Sequence, residues 1–141
     1  MRPTVFITVE VPRGALLKRD GAGRIDLVSP LPAPFNYGSV PGTLAEDGEP
    51  LDALLLGPPL PRGHRGAYPV WAVVRFTDDG LVDDKLVCGL AAPTTADRRR
   101  VERFFAIYAP LKRALHLLRG ARGATRFGGW SEALPASMNR D

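Results

Sequence analysis

Carboxylates in two turn-like segments are the residues of this sequence whose types and spacing best suit chemistry. Asp47, Glu49 and Asp52 fall within six residues, and a second cluster of acids spans residues 78–84 and is followed by Lys85. Clustered carboxylates repel one another unless water or a cation separates them. Mg²⁺ prefers oxygen ligands and typically combines one or two carboxylates with water and phosphate oxygens. The clusters therefore predict a divalent-metal site if they meet at one end of the fold, and two ordinary solvated turns if they do not.

Asp52 favours the metal site over the solvated turns. It lies inside the short apolar run 51–56, where an unpaired charge would be strongly unfavourable. The sequence has no EF-hand loop, P-loop, GxGxxG, GxSxG or HExxH motif, and its lone cysteine excludes an internal disulfide or a thiolate metal cluster. His116 lies in a basic segment with no second ligand at metal spacing, so the sequence predicts no catalytic role for it.

Short β-branched and apolar segments, separated by turns, must position these acids. The sequence predicts strands at residues 4–11, 24–28, 51–56, 68–76 and 84–90. Residues 36–50 are expected to be irregular, and residues 128–141 are expected to be a short tail with Trp130 as a packing anchor. Short strands followed by one helix favour a small β-barrel or sandwich with the helix packed on it. A chain of 141 residues suits a single domain over 1–141.

The predicted helix begins after Thr94. Asp97, three residues later, completes a capping-box pattern, and apolar residues then recur at helical spacing as far as Leu118. Pro110 removes one helical hydrogen bond, so it is expected to kink the helix or divide it.

Composition and charge narrow the class of protein further. Apolar residues make up 45% of the chain and charged residues 24%, which is typical of a globular protein and excludes a disordered or collagen-like one. No stretch approaches the 18 apolar residues of a membrane helix, and a cytoplasmic location is expected. Residues 98–141 carry 10 basic and 3 acidic residues. This basic segment indicates either nucleic-acid contact or, as we favour, an ordinary solvated helix.

Several motifs, in chain order, resemble those of the soluble family I inorganic pyrophosphatases. Residues 36–44 (NYGSVPGTL) and 47–52 (DGEPLD) resemble the family's Asn-Tyr-Gly loop and its Asp-Gly-Asp-Pro-apolar-Asp signature. Residues 78–85 fit its Asp-x4-Asp-x-Lys turn, residues 104–108 its Phe-Phe-x-x-Tyr helix, and residues 129–130 its Gly-Trp pair. The likeness implies a five-stranded, closed OB-like barrel with one main C-terminal helix, in the mainly β or α+β class. It also implies Mg²⁺-dependent hydrolysis of pyrophosphate to two phosphates, in a homo-oligomer.

The resemblance also implies roles for the matched residues. The expected metal ligands are Asp47, Asp52 and Asp83, with Asp78 on a further metal ion and Glu10 in the inner shell. The expected phosphate-binding residues are Lys18, Tyr37, Lys85, Tyr108 and, one helical turn after Tyr108, Lys112. The expected catalytic residues are Glu49, Asp52 and Tyr37, of which Glu49 would take a proton from the attacking water.

Three positions depart from the family pattern. Glu49 replaces an aspartate, and Ala109 replaces the lysine after the helix tyrosine. The family's arginine after the second strand has no clear counterpart: Leu27 or Ile25 aligns with it, and Arg24 is the nearest candidate. Lys112 or Arg113 would compensate for the second change if the helix continues, because both lie one turn onward. Three functions stay open: a Mg²⁺-dependent (or Mn²⁺-dependent) pyrophosphatase, a catalytically weak relative that binds a divalent metal and a phosphate ligand, and an OB-type nucleic-acid-binding module that uses the basic helix.

Overall fold

The computed structural model of the chain describes residues 2–15, 32–46 and 48–133 in full, and the backbone of residues 17–19 and 25–28. The strands are β1 (Thr4–Val11), β2 (Leu17–Arg19), β3 (Ile25–Val28), β4 (Asn36–Val40), β5 (Leu51–Leu55), β6 (Arg65–Asp78), β7 (Leu81–Val82), β8 (Lys85–Cys88) and β9 (Arg126–Ser131), and the helix is α1 (Thr95–Leu118). No helix among these residues is long and apolar enough to cross a membrane.

Five strands pair in a closed ring. Their order is β1–β4–β5–β8–β6, and the long strand β6 closes the ring by pairing with β1 as well as with β8. The β5–β8 pair is parallel and the other four pairs are antiparallel. The expected mainly β or α+β class, with one main helix packed on a sheet, is confirmed.

Two segments expected to be irregular are strands. Asn36–Val40 forms β4, and Gly38 is needed there because a Cβ at this position would collide with the carbonyl oxygen of Thr8 on β1. Arg126–Ser131 forms β9 and pairs with β6, so the predicted tail is wrong in this part. Glycines have low strand propensity, and the long-range pairing that places them in strands has no local sequence signal.

The helix begins with the predicted capping box. The backbone N–H of Asp97 donates to Oγ1 of Thr94 at 3.0 Å, and the backbone N–H of Thr94 donates to Oδ2 of Asp97 at 2.9 Å. α1 continues through Pro110 to Leu118, so the alternative of a divided helix is wrong.

Packing on the ring explains why the proline does not end the helix. Val101, Phe104, Phe105 and Tyr108 are all buried against it. The ring of Phe105 stacks on that of Phe35 with their centroids 5.9 Å apart. Burial of four large side chains outweighs the roughly 3 kcal/mol that an interior proline costs a helix.

Candidate active site

A buried acid–lysine cluster lies where β5, β8 and the turn before β8 meet. The parallel β5–β8 pairing places Asp52 in register with Lys85. The Nζ of Lys85 donates to Oδ2 of Asp52 at 2.8 Å and to Oδ2 of Asp83 at 2.7 Å. Lys85 is only 1% exposed. One strand pairing therefore brings together the two acidic segments that the sequence singled out.

The charges of this acid–lysine cluster do not balance, since two carboxylates face one ammonium group. Burial raises the pKa of Asp83 to about 6, with Lys85 opposing the rise and the carboxylate of Asp52 adding to it. Burial would lower the pKa of Lys85, but the two carboxylates raise it well above its usual value. The lysine is therefore permanently charged, and the excess negative charge favours a further cation.

Two tyrosines border the cluster. Tyr37, on β4, donates a hydrogen bond to the carboxylate of Asp52, and its ring centroid lies 5.8 Å from the Nζ of Lys85. Burial raises the pKa of the Tyr37 and Tyr108 hydroxyls, and the carboxylate of Asp52 raises that of Tyr37 further. Lys112 and Lys85 both oppose the rise at Tyr108, which lies within reach of both ammonium groups. Both phenols therefore stay protonated. The hydroxyl of Tyr108 can donate to a phosphate oxygen, and that of Tyr37 can do so when it gives up its bond to Asp52.

A second cluster forms at the end of β6, where α1 passes Asp78. The Nζ of Lys112 lies 2.9 Å from Oδ2 of Asp78, and Nε2 of His116 lies 2.6 Å from Oδ1. The sequence predicted no role for His116, because no second metal ligand lies at the required spacing from it. The available signal was the spacing of 108, 112 and 116, which places these three residues on one helix face.

Four further site residues were expected from the sequence, and the structure describes two of them, Glu10 and Glu49. Glu10, on β1, accepts a hydrogen bond of 3.4 Å from Oγ of Ser39, the residue in register with Asp52 on the next strand. Glu49 lies in the exposed segment before β5. Asp47 and the side chain of Lys18 lie outside the described residues.

Two of the three expected metal ligands, Asp52 and Asp83, lie in the acid–lysine cluster. Among the described residues, no three His, Cys, Asp or Glu side chains form a group able to hold a metal ion. Asp52 and Asp83 contribute two carboxylates, which exceed the single ammonium group of Lys85 by one negative charge. Asp47, the third expected ligand, lies outside the described residues. Carboxylate oxygens are the donors that Mg²⁺ selects, so these residues fit the ion.

Asn36 supports the site without belonging to it. Its side chain is fully buried and accepts hydrogen bonds of 2.9 Å from the backbone N–H groups of Arg13 and Leu60. Its amide nitrogen donates to the carbonyl oxygens of Leu55 and Pro58. This one side chain ties the end of β5 to two loops.

Comparison with known proteins defines the class. The model of the inorganic pyrophosphatase family matches residues 7–124. Inorganic pyrophosphatases from Neisseria meningitidis serogroup A and Haemophilus influenzae are 36% and 35% identical to the chain, over 92% of this chain and 80% and 82% of theirs. The structures of inorganic pyrophosphatases from Neisseria gonorrhoeae and Thermus thermophilus superpose with TM-scores of 0.69 and 0.70, at 29% and 28% identity, over 92% of this chain and 83% of each of those chains.

All of these matches are to one class of hydrolytic enzymes. The chain belongs to the family I inorganic pyrophosphatases, as the motifs in its sequence predicted.

Proposed function

We propose that the chain hydrolyses inorganic pyrophosphate to two phosphates and requires Mg²⁺ for this reaction. The observation that carries the proposal is the buried cluster of Asp52, Asp83 and Lys85 in a chain of this family. A small, highly charged anion needs cations that approach both of its phosphate groups, and this cluster combines a fixed ammonium group with carboxylates able to hold further cations.

The chain's own residues bind and orient the substrate. Lys85 exchanges a carboxylate for a phosphate oxygen and makes charge-assisted hydrogen bonds to it. Tyr108 donates from its protonated hydroxyl group, and Tyr37 exchanges the carboxylate of Asp52 for a phosphate oxygen and donates to it. Lys112 supplies a second ammonium group, and Lys18, whose side chain lies outside the described residues, is proposed as a third.

Asp47, Asp52 and Asp83 would hold Mg²⁺, with Glu10 near the same strand edge. Bound Mg²⁺ would neutralise phosphate charge and lower the pKa of the attacking water. Glu49 is the proposed acceptor of the proton from this water. Its side chain is one methylene longer than the family's aspartate, and a misplacement of about 1 Å can cost about 100-fold in rate. We therefore expect an active enzyme with a reduced turnover number.

Phosphate release by Asp52→Asn tests this proposal. The variant keeps the shape of the side chain and removes its charge, and we expect the rate with Mg²⁺ to fall by at least about 100-fold, which is typical for the loss of one essential polar group. Asp97→Asn is the matched control, because Asp97 caps the distant end of α1 and asparagine preserves the cap. Full activity in a folded Asp52→Asn protein would contradict the proposal.

Phosphate release, a Mn²⁺ titration and a nucleic-acid binding assay together separate the other functions that the sequence left open. A folded wild-type protein that binds Mn²⁺ in a titration but releases no phosphate would be the catalytically weak relative. Salt-sensitive binding to single-stranded DNA would indicate the nucleic-acid module. The homo-oligomer and the cytoplasmic location remain predictions, and light scattering of the purified protein tests the first of them.

A further inference from the structure

Asp78 is enclosed by basic groups. Lys112 contacts one carboxylate oxygen at 2.9 Å and His116 contacts the other at 2.6 Å. The hydroxyl of Thr125 lies 3.5 Å from the oxygen that His116 contacts, and also accepts a hydrogen bond of 3.0 Å from the backbone N–H of Asp79. The side chains of Asp78, Lys112 and His116 are each less than one-fifth exposed. The carboxylate is therefore held from both sides in a partly buried position.

The ratio of acidic to basic side chains here is the reverse of that around Lys85. There, two carboxylates share one ammonium group, whereas Asp78 alone faces an ammonium group and an imidazole. Burial would raise the pKa of Asp78, but Lys112 and His116 together hold it below its usual value. A divalent cation at Asp78 would have to displace one of these partners and would meet the charge of Lys112. Asp78 therefore does not fit the metal ion that the family resemblance assigns to it.

The ammonium group of Lys112 lies beside Tyr108, the tyrosine expected to bind phosphate. Its Nζ lies 5.7 Å from the ring centroid of Tyr108 and close enough to the hydroxyl to affect its ionisation. Ala109, at the position of the family's lysine, is 5% exposed and packs in the core. The cation beside Tyr108 thus comes from one helical turn onward, and a long flexible side chain needs an anchor to stay there.

We propose that Asp78 and His116 are positioning residues that hold the ammonium group of Lys112 beside Tyr108 for one phosphate group of pyrophosphate, and that Asp78 binds no metal ion. The inference rests on the proposed function. It replaces the expectation that Asp78 ligates a further metal, and it gives His116 a role that the sequence did not indicate.

Binding of imidodiphosphate, a pyrophosphate analogue with a nitrogen bridge, tests the positioning role without turnover. We expect Lys112→Ala to weaken its Kd by about 10-fold or more, since hydrogen bonds to charged groups are the strong ones. His116→Ala is expected to weaken it about threefold to tenfold, and His116→Gln, which keeps an N–H donor, to restore most of the affinity. Arg103→Ala is the matched control for Lys112, because it removes the same charge from an exposed position of the same helix.

The double variant His116→Ala/Lys112→Ala tests whether His116 affects analogue binding through Lys112. If His116 acts through Lys112, the double variant binds the analogue as Lys112→Ala does, whereas a general structural effect would add to it. Thermal melting of each variant establishes that it is folded. An undiminished effect of His116→Ala in the Lys112→Ala background would overturn the positioning role.

Counting bound Mn²⁺ tests the metal statement. In the presence of imidodiphosphate, the free-ion signal in electron paramagnetic resonance gives the number of ions bound per chain. Asp78→Asn should bind as many ions as the wild type, and Asp83→Asn should bind fewer. Loss of one ion in Asp78→Asn would overturn the inference.

These experiments also separate this inference from the proposed function. A wild-type protein that binds imidodiphosphate with the expected variant pattern but hydrolyses no pyrophosphate contradicts the function and supports the positioning role. A wild-type protein that binds no analogue overturns the positioning role.

Discussion

Replacing Lys85 by methionine should expose the charge imbalance at the centre of the site. Methionine keeps the apolar stem and removes the ammonium group that Asp52 and Asp83 share at 2.8 and 2.7 Å. Breaking a buried ion pair from one side costs about 3–5 kcal/mol, because the remaining charge stays buried without its partner. Lys85 is 1% exposed and Asp83 6% exposed, so we expect a loss of about 4 kcal/mol in the free energy of unfolding at pH 7.5.

Acid should reduce this loss. The folded-state pKa of Asp83 is raised to about 6 from an ordinary value of 3.8, so the folded protein takes up a proton at a higher pH than the unfolded chain. The unfavourable contribution of the buried carboxylate is therefore present above about pH 6 and disappears as the pH falls toward 4. Without the lysine that opposes the shift, the pKa of Asp83 rises further. The loss caused by Lys85→Met should then be smaller at pH 5 than at pH 7.5.

Mg²⁺ should replace part of the missing charge. A ligand that binds only the folded state stabilises it in proportion to the logarithm of its concentration above Kd. Removing the ammonium group makes the site more negative, so Mg²⁺ should stabilise Lys85→Met more than the wild type. Urea unfolding at both pH values, with EDTA or with Mg²⁺, measures each of these quantities.

Arg75→Met is the matched control for Lys85→Met. The Arg75 side chain is 36% exposed and pairs with Asp84, so its loss should cost no more than about 1 kcal/mol. A Lys85→Met variant within about 1 kcal/mol of the wild type at pH 7.5 would show that Lys85 does not balance two buried carboxylates. Stability of the variant that does not change with Mg²⁺ would contradict the excess negative charge at this cluster.

Three further predictions concern single residues. Glu49→Asp should raise kcat about 10-fold or more by restoring the shorter acid; steady-state phosphate release measures this, with Glu46→Asp in the same loop as the control. Asn36→Ala leaves buried backbone groups without partners and should lower the free energy of unfolding by about 3 kcal/mol or more in urea; a loss below about 1 kcal/mol would contradict the bonding described. Gly38→Ala should force β1 and β4 apart and lower Tm by more than about 10 °C in a calorimetric scan, since a Cβ would collide with the Thr8 carbonyl oxygen; an unchanged Tm would contradict this close approach.

The acid–lysine cluster was predictable because its parts carry local signals. Asp52 interrupts an apolar run, and a charge in a buried strand needs a partner. The capping-box pattern of Thr94 and Asp97 likewise predicts the start of α1. No local pattern predicts the parallel pairing of β5 with β8, and this pairing brings Asp52 to Lys85.

β4, β9 and the second cluster show what local patterns miss. Gly38 and Gly128 weaken the strand signal. Gly38 is required nevertheless, because a Cβ there would collide with the Thr8 carbonyl oxygen, whereas a Cβ at Gly128 would make a tight contact, 3.1 Å from the Cβ of Arg75. His116 gains its role from Asp78, a residue 38 positions away, and the sequence alone gives no indication of this contact. The scarcity of lysine in this chain is a further signal of the site. In a chain with 16 arginines and 3 lysines, Lys85 carries a buried ion pair and Lys112 a partly buried one, each beside a tyrosine.

Direct observation of the reaction by phosphorus NMR tests the central claim. The purified protein with pyrophosphate and Mg²⁺ should convert the pyrophosphate resonance into that of inorganic phosphate, with two phosphates formed for each pyrophosphate lost. EDTA should stop the conversion and added Mg²⁺ should restore it. A folded protein that leaves the pyrophosphate resonance unchanged, or that converts it equally well in EDTA, would contradict the claim of Mg²⁺-dependent hydrolysis.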